Sequence, residues 1–124
     1  MAAPNIVGVQ TITGVTTSFN LPNTDFTTLV TNAAASGQVY KINTIIVGND
    51  SGSTAKISVG YNGAAAGAGD TSYIARNVGV TSEATLVVVD RASSFYLEEN
   101  RSIVCQASGN NQLDITCSYE EISS

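Results

Sequence analysis

The chain has 124 residues, with ten acidic against five basic side chains, no histidine and a formal net charge of −5. That length predicts a single domain that buries about two thirds of its unfolded surface and needs neither disulfide staples nor a metal to hold a core. The cations Lys41, Lys56, Arg76, Arg91 and Arg101 are scattered, which excludes the clustered positive footprint that nucleic acid or anionic lipid requires, so neither nucleic acid nor membrane is expected as a partner.

Charged residues make up only 12% of the chain while hydrophobic ones reach 43%, so the polar surface must come from Ser, Thr, Asn and Gly. Such a composition suits β-structure better than long helices. The opening "MAAPNIVGVQ" has no basic region followed by an apolar run, so it does not read as a secretory signal. Met1, Ala2, Ala3, Pro4 and Asn5 form a short apolar arm ahead of a domain expected over residues 6–124. Apolar runs such as "LVVV" are too short to span a bilayer, and a soluble protein is expected.

Along the chain the hydrophobic period is two. It predicts strands at Ile6–Thr13, Phe26–Thr31, Gln38–Val47, Ala55–Tyr61, Ser72–Asn77, Ala84–Asp90, Ser93–Leu97, Arg101–Ala107 and Leu113–Glu120. In the third, strict alternation sets Tyr40, Ile42, Thr44 and Ile46 on one face and Val39, Lys41, Asn43 and Ile45 on the other. In the fourth, Ile57, Val59 and Tyr61 share a face. "LVTNAAASG" could form one helical turn, and no longer amphipathic helix is visible. Gly48–Thr54 and Leu97–Ser102 carry the residues of short reversals, and the sequons at Asn49 and Asn100 read as turn residues. "NAAASG" and "NGAAAGAGD" echo each other, although recurring small residues in loops explain this better than a duplicated half-domain. The second segment reads as a long flexible loop whose residues Gly63, Ala64, Ala65, Ala66, Gly67, Ala68 and Gly69 are small enough to pack against a neighbouring subunit. This many short strands in one domain predict an all-β, two-sheet antiparallel β-sandwich, jelly-roll or immunoglobulin-like, with the strand order left open.

Cys105 and Cys117 lie symmetrically about Asn111. If "GNNQ" is a hairpin turn, the two oppose each other on paired strands, and Ile103, Cys105 and Ala107 share a core face with Leu113, Ile115, Cys117 and Tyr119. A cross-strand disulfide is geometrically open, but a core that needs no staple favours two reduced, inert thiols.

Candidate chemistry is thin. Without histidine there is no Ser–His–Asp or Cys–His site, and no third soft ligand accompanies the cysteines to hold a metal. Glu98/Glu99 and Glu120/Glu121 are sequence neighbours, which on a strand point to opposite faces and cannot flank one scissile bond. "GAAAGAG" lacks the Lys-Ser/Thr of a phosphate loop, and "DSGST" lacks the alternating acids of a calcium loop. "YEEI" resembles a phosphotyrosine-reader peptide, but Tyr119 falls on the expected core face. The residues predict no catalytic site, no cofactor and no metal.

"ATLVVVDRASSFYLEENRSIVCQASGNNQLDITCSYEEIS", together with "MAAPNIVGVQTITG" and "TTLVTNAAASGQVYKINTIIVGN", resembles the small all-β structural proteins of tailed bacteriophage virions. The resemblance covers most of the chain through turn and strand residues and includes no functional signature. It implies a virion protein assembled in a host bacterial cytoplasm, most simply a capsid decoration (cement) protein. Such a protein binds the major capsid protein and itself, as a homotrimer matched to local three-fold symmetry. The alternative it implies is a tail, neck or fibre module that binds a host-surface receptor or glycan. On the decoration reading the arm Met1–Asn5 and the loop Gly63–Gly69 are the candidate capsid or subunit contacts, whereas a receptor or glycan module would present a localised concave site.

Overall fold

The computed structural model describes residues 11–123. The strands are β1 (Thr11–Asn20), β2 (Thr27–Asn32), β3 (Gln38–Asn49), β4 (Ala55–Asn62), β5 (Thr71–Val80), β6 (Thr85–Val89), β7 (Phe95–Leu97), β8 (Arg101–Ala107) and β9 (Leu113–Ser123). A 3₁₀ turn at Arg91–Ser93, capped by the Asp90 carboxylate, separates β6 from β7.

The topology is easiest to see by folding the chain in half at the hairpin between β4 and β5. Every later strand then lies antiparallel to its mirror partner: β5 on β4, β6 and β7 on β3, β8 on β2, and β9 on β1. The resulting ribbon rolls up so that β9 also pairs with β3 and β8 with β4. One sheet therefore runs β1-β9-β3-β6, with β7 beside β3, and the second runs β2-β8-β4-β5. This is a jelly roll, which settles the choice left open by the sequence.

Between the sheets lies one core in which Ile42, Ile45, Val47, Ile57, Val59, Leu97, Ile103, Leu113 and Ile115 are fully enclosed. Burying each such side chain is worth about 1.5–3 kcal/mol, so the core is the main source of stability.

Four expectations change. The first strand runs from Thr11 to Asn20 and pairs with β9 throughout, and Gly14 does not end it because its position on the strand is open; residues 6–10 of the predicted strand lie outside the described residues. The alternation in β3 breaks at Asn43. There Ile42 faces Tyr119 and Thr44 faces Ser118, so one residue bulges out and the core face becomes Tyr40, Ile42, Ile45 and Val47. Ser93 belongs to the 3₁₀ turn rather than to β7. The fourth change concerns the hairpins. Gly48–Thr54, Leu97–Ser102 and the segment around Asn111 all turn the chain, yet each carries it to the opposite sheet. Cys105 and Cys117 are thus not a cross-strand pair. They sit on facing sheets, although the core faces expected for β8 and β9 are the ones observed.

Asparagines hold the ends of the first four strands, where the chain turns. Asn20, Asn32, Asn49 and Asn62 are each the last residue of β1, β2, β3 and β4. The Asn32 amide donates to the carbonyls of Gln38 and Leu97 and accepts from the Ser36 hydroxyl. That of Asn49 donates to the carbonyls of Ser53 and Val80 and accepts from Ser51 N. Asn20 donates to the Leu113 carbonyl and to Asp114 Oδ1. A primary amide offers two donors and an acceptor, so one side chain can satisfy several backbone groups at a strand end. The echo between "NAAASG" and "NGAAAGAGD" follows from this device, since each segment begins with such an asparagine. Asn49 is only 3% exposed, which leaves its sequon closed in the fold.

Candidate functional site

The loop Gly63–Gly69 joins β4 to β5 at the apex of the folded ribbon. It lies back over the outer face of the second sheet. Asn62 organises it: its amide nitrogen donates to the carbonyls of Gly67 (3.2 Å) and Gly69 (2.8 Å) and to Thr71 Oγ1 (2.9 Å), while its oxygen accepts from Ala64 N and Gly69 N. Ser102 Oγ donates to the Ala64 carbonyl at 2.7 Å, and Ala65 N donates to Asn100 Oδ1. A Cβ on Gly67 would stand 3.2 Å from Val104 Cγ1, so the loop closes over Val104, which is 3% exposed despite lying outside the main core. The expectation of a flexible loop is corrected by this bonding: a buried amide ties the backbone down at several points. Gly63, Ala66, Ala68 and Gly69 remain exposed, while Ala64, Ala65 and Gly67 are half-buried. The other candidate contact, Met1–Asn5, lies outside the described residues.

The outer face of the first sheet has a different character. Thr16 and Ser18 of β1 stand opposite Ser118 and Thr116 of β9, which stand opposite Thr44 and Ile46 of β3. Val87 of β6 continues the last row beyond Ile46, and Tyr96 of β7 lies beside Lys41, itself opposite Glu120. Ser18 and Thr116 share a 2.8 Å hydroxyl hydrogen bond. Val87 is 55% and Tyr96 44% exposed, and nothing lies within 4 Å of a Cβ built on Gly14 or Gly48. The face is hydroxyl-rich, and nothing among the described residues covers it. Sequence reasoning did not single it out, although the alternating Thr and Ser of β1 and β9 were its signal.

On the second sheet, Thr24, Asn77, Gln106, Ala107 and Ser108 line a polar cleft of about 270 Å³. Gln106 Nε2 donates to the Thr24 carbonyl at 3.0 Å, and Ser108 Oγ accepts from Lys56 N at 2.8 Å. Asn77 adopts φ +51° where β5 bulges against β4, and its N–H donates to the buried Ser58 hydroxyl at 2.9 Å. No motif announces this cleft, because its residues come from three separated segments that only the fold unites.

Both cysteines are free and 0% exposed. Burial pushes each thiol from its ordinary 9.0 up to about 12, with the neighbouring Cys117 adding to the effect on Cys105. Tyr40 and Tyr119, stacked at 5.3 Å, are raised first by burial and then by the Glu121 charge, against which a hydrogen bond from Thr17 lowers Tyr119. Neutral thiols in such a setting are packing groups rather than nucleophiles.

No protein-family model and no curated protein matches the chain. Among solved structures, the fold is similar to a protein of the T13 viral particle of infectious bursal disease virus, with TM-score 0.54 and 12% identity over 91% of this chain. The chain spans 31% of that viral protein's length. It is also similar to a protein of the Bacillus endospore appendages, described as disulfide-linked pili, with TM-score 0.55 and 9% identity over 91% of this chain and 87% of that one. At these identities the likeness establishes the shared fold.

Proposed function

We propose that the protein is a non-catalytic structural subunit of a virion, a capsid decoration (cement) protein that binds the major capsid protein and stabilises the shell. The observation that carries the reading is the outer face of the first sheet, where rows of Thr and Ser lead through Ile46 to exposed Val87, with exposed Tyr96 beside Lys41. Glycines with open space above them let a second surface come close, and hydroxyls can donate or accept across it. Such a face gives modest affinity per copy. A homotrimer engaging several capsomers at once would multiply it through effective concentration. The exposed Ala66 and Ala68 of the apex loop and the arm Met1–Asn5 are candidate contacts within that assembly. The resemblance to phage virion proteins and the fold shared with a viral-particle protein both support this reading. A disulfide-linked assembly is less well supported, because the two cysteines of the chain are enclosed in the core.

The test is the number of copies in purified virions of the source phage, measured by quantitative mass spectrometry against the major capsid protein. A fixed simple ratio to that protein is expected. A few dozen copies or fewer would overturn the cement role and place the protein in the tail, neck or fibres. Within the same particles, Val87→Glu is expected to lower occupancy at least tenfold while leaving the isolated protein folded, since one unpaired charge desolvated at an interface costs more than 1.4 kcal/mol, roughly.

A further inference from the structure

We infer that the cleft lined by Thr24, Asn77, Gln106 and Ser108 is a binding site for a neutral glycan, taking one sugar ring. Every polar side chain lining it is uncharged, so it has nothing to select an anion or a cation. The groups are held in place from behind. Gln106 is fixed through its Nε2 on the Thr24 carbonyl, Ser108 Oγ accepts from the β4 backbone, and Asn77 is set by the bulge and by Ser58. Among the described residues this leaves Gln106 Oε1 as an acceptor, Asn77 Nδ2 as a donor, and the Thr24 and Ser108 hydroxyls as both. Neighbouring sugar hydroxyls likewise donate and accept, and they match such a mixed set better than a carboxylate, a phosphate or an apolar ligand does.

Asn77 holds a left-handed backbone conformation, which asparagine tolerates better than most residues, at the point where β5 bulges against β4. Phe26, 48% exposed, precedes Thr27, which pairs with the inward-facing Cys105. Continuing the alternation of β2 back by one residue puts Phe26 on the same outer face as Gln106, outside the residues that line the cleft. At about 270 Å³ the cleft falls just below the roughly 300–1,000 Å³ of drug-sized ligand pockets, which limits it to one ring and to millimolar affinity. The inference does not depend on the virion assignment. If the first sheet does lie against a particle, the cleft on the opposite sheet faces outward.

The experiment is a two-dimensional ¹H–¹⁵N NMR titration of the full chain with methyl glycosides of glucose, galactose, mannose and N-acetylglucosamine. Each is taken to about 100 mM, beside glucuronate and sialic acid as anionic probes. Saturable shifts are expected for at least one neutral glycoside at the side-chain amides of Asn77 and Gln106 and the backbone amides around Thr24 and Ser108. Gln106→Ala and Asn77→Gly, the latter compatible with φ +51°, should each weaken binding by about 3–10-fold with unchanged spectra elsewhere. The inference is overturned if no neutral glycoside moves these resonances, if the variants bind as the parent does, or if only the anionic sugars bind. None of these results bears on the copy number in virions, so the two readings fail separately.

Discussion

The outer faces of the two sheets solve the same problem in opposite ways. Each is the solvent side of an antiparallel sheet in one jelly roll. On the second sheet the chain covers part of its own strands: the apex loop lies over Val104, Asn62 ties it down, and Gly60 lets β5 approach closely, while Tyr73, Ile74 and Val78 of β5 stay exposed. On the first sheet nothing within the described residues covers the rows from Thr16 to Val87, and Gly14 and Gly48 look onto open space. The difference teaches where substitutions should be felt. A covered face transmits them to stability, whereas an open face transmits them to whatever partner it meets.

The largest effect expected is at Asn62. Asn62→Ala removes the hydrogen bonds that hold the apex loop and strands the Gly67 and Gly69 carbonyls, which should cost about 3 kcal/mol. Chemical denaturation checks this, and a change below about 0.5 kcal/mol would mean that the loop does not depend on the amide. The next effect comes from the core that both faces share. Each thiol is raised in the fold, so folding is favoured while the unfolded thiols remain protonated, and that contribution is lost as pH climbs from 9.0 towards about 12. Stability should fall above pH 9 by about 1.4 kcal/mol per thiol per pH unit, and Cys117→Ala should reduce the slope. Iodoacetamide labelling at pH 8 should require unfolding.

Gly60→Ala sharpens the comparison further. Its methyl group would overlap Thr71 Cγ2 and stand 3.2 Å from the Ser72 carbonyl oxygen, so the β4–β5 pair must shift at a cost of about 2 kcal/mol. The smallest effect belongs to the open face. Gly48→Thr has room and sits in a strand, so thermal melts should change by no more than the equivalent of about 0.5 kcal/mol. Were Gly60→Ala silent and Gly48→Thr damaging, the contrast between a covered and an open face would be wrong.

Much of the fold was legible in local pattern. The period of two marks most strands to within a few residues, and the inward sets Ile57/Val59/Tyr61 and Ile103/Cys105/Ala107 stand as read, because alternation alone decides which side chains share a face. Where one residue bulges, at Asn43, the same rule misassigns every position beyond it, and nothing in "KINTIIV" flags the extra residue. The candidate loop Gly63–Gly69 was visible as a run of small residues. That it is pinned over Val104 was not, since its anchors Asn100 and Ser102 lie more than thirty residues away.

By itself the sequence determined a β-rich chain without histidine chemistry, the thiols' place on a core face, and the asparagine-led turns. Each of these follows from residue type or from neighbours along the chain. Only the tertiary structure decided which sheet each strand joins, that Cys105 and Cys117 face each other across the core rather than along a hairpin, and that Thr24, Asn77 and Gln106 meet in one cleft. The reason is that sheets are joined through backbone N–H and C=O groups, which every residue but proline carries alike. Side-chain alternation chooses the side of a strand, and the rolling of the whole ribbon chooses its neighbour.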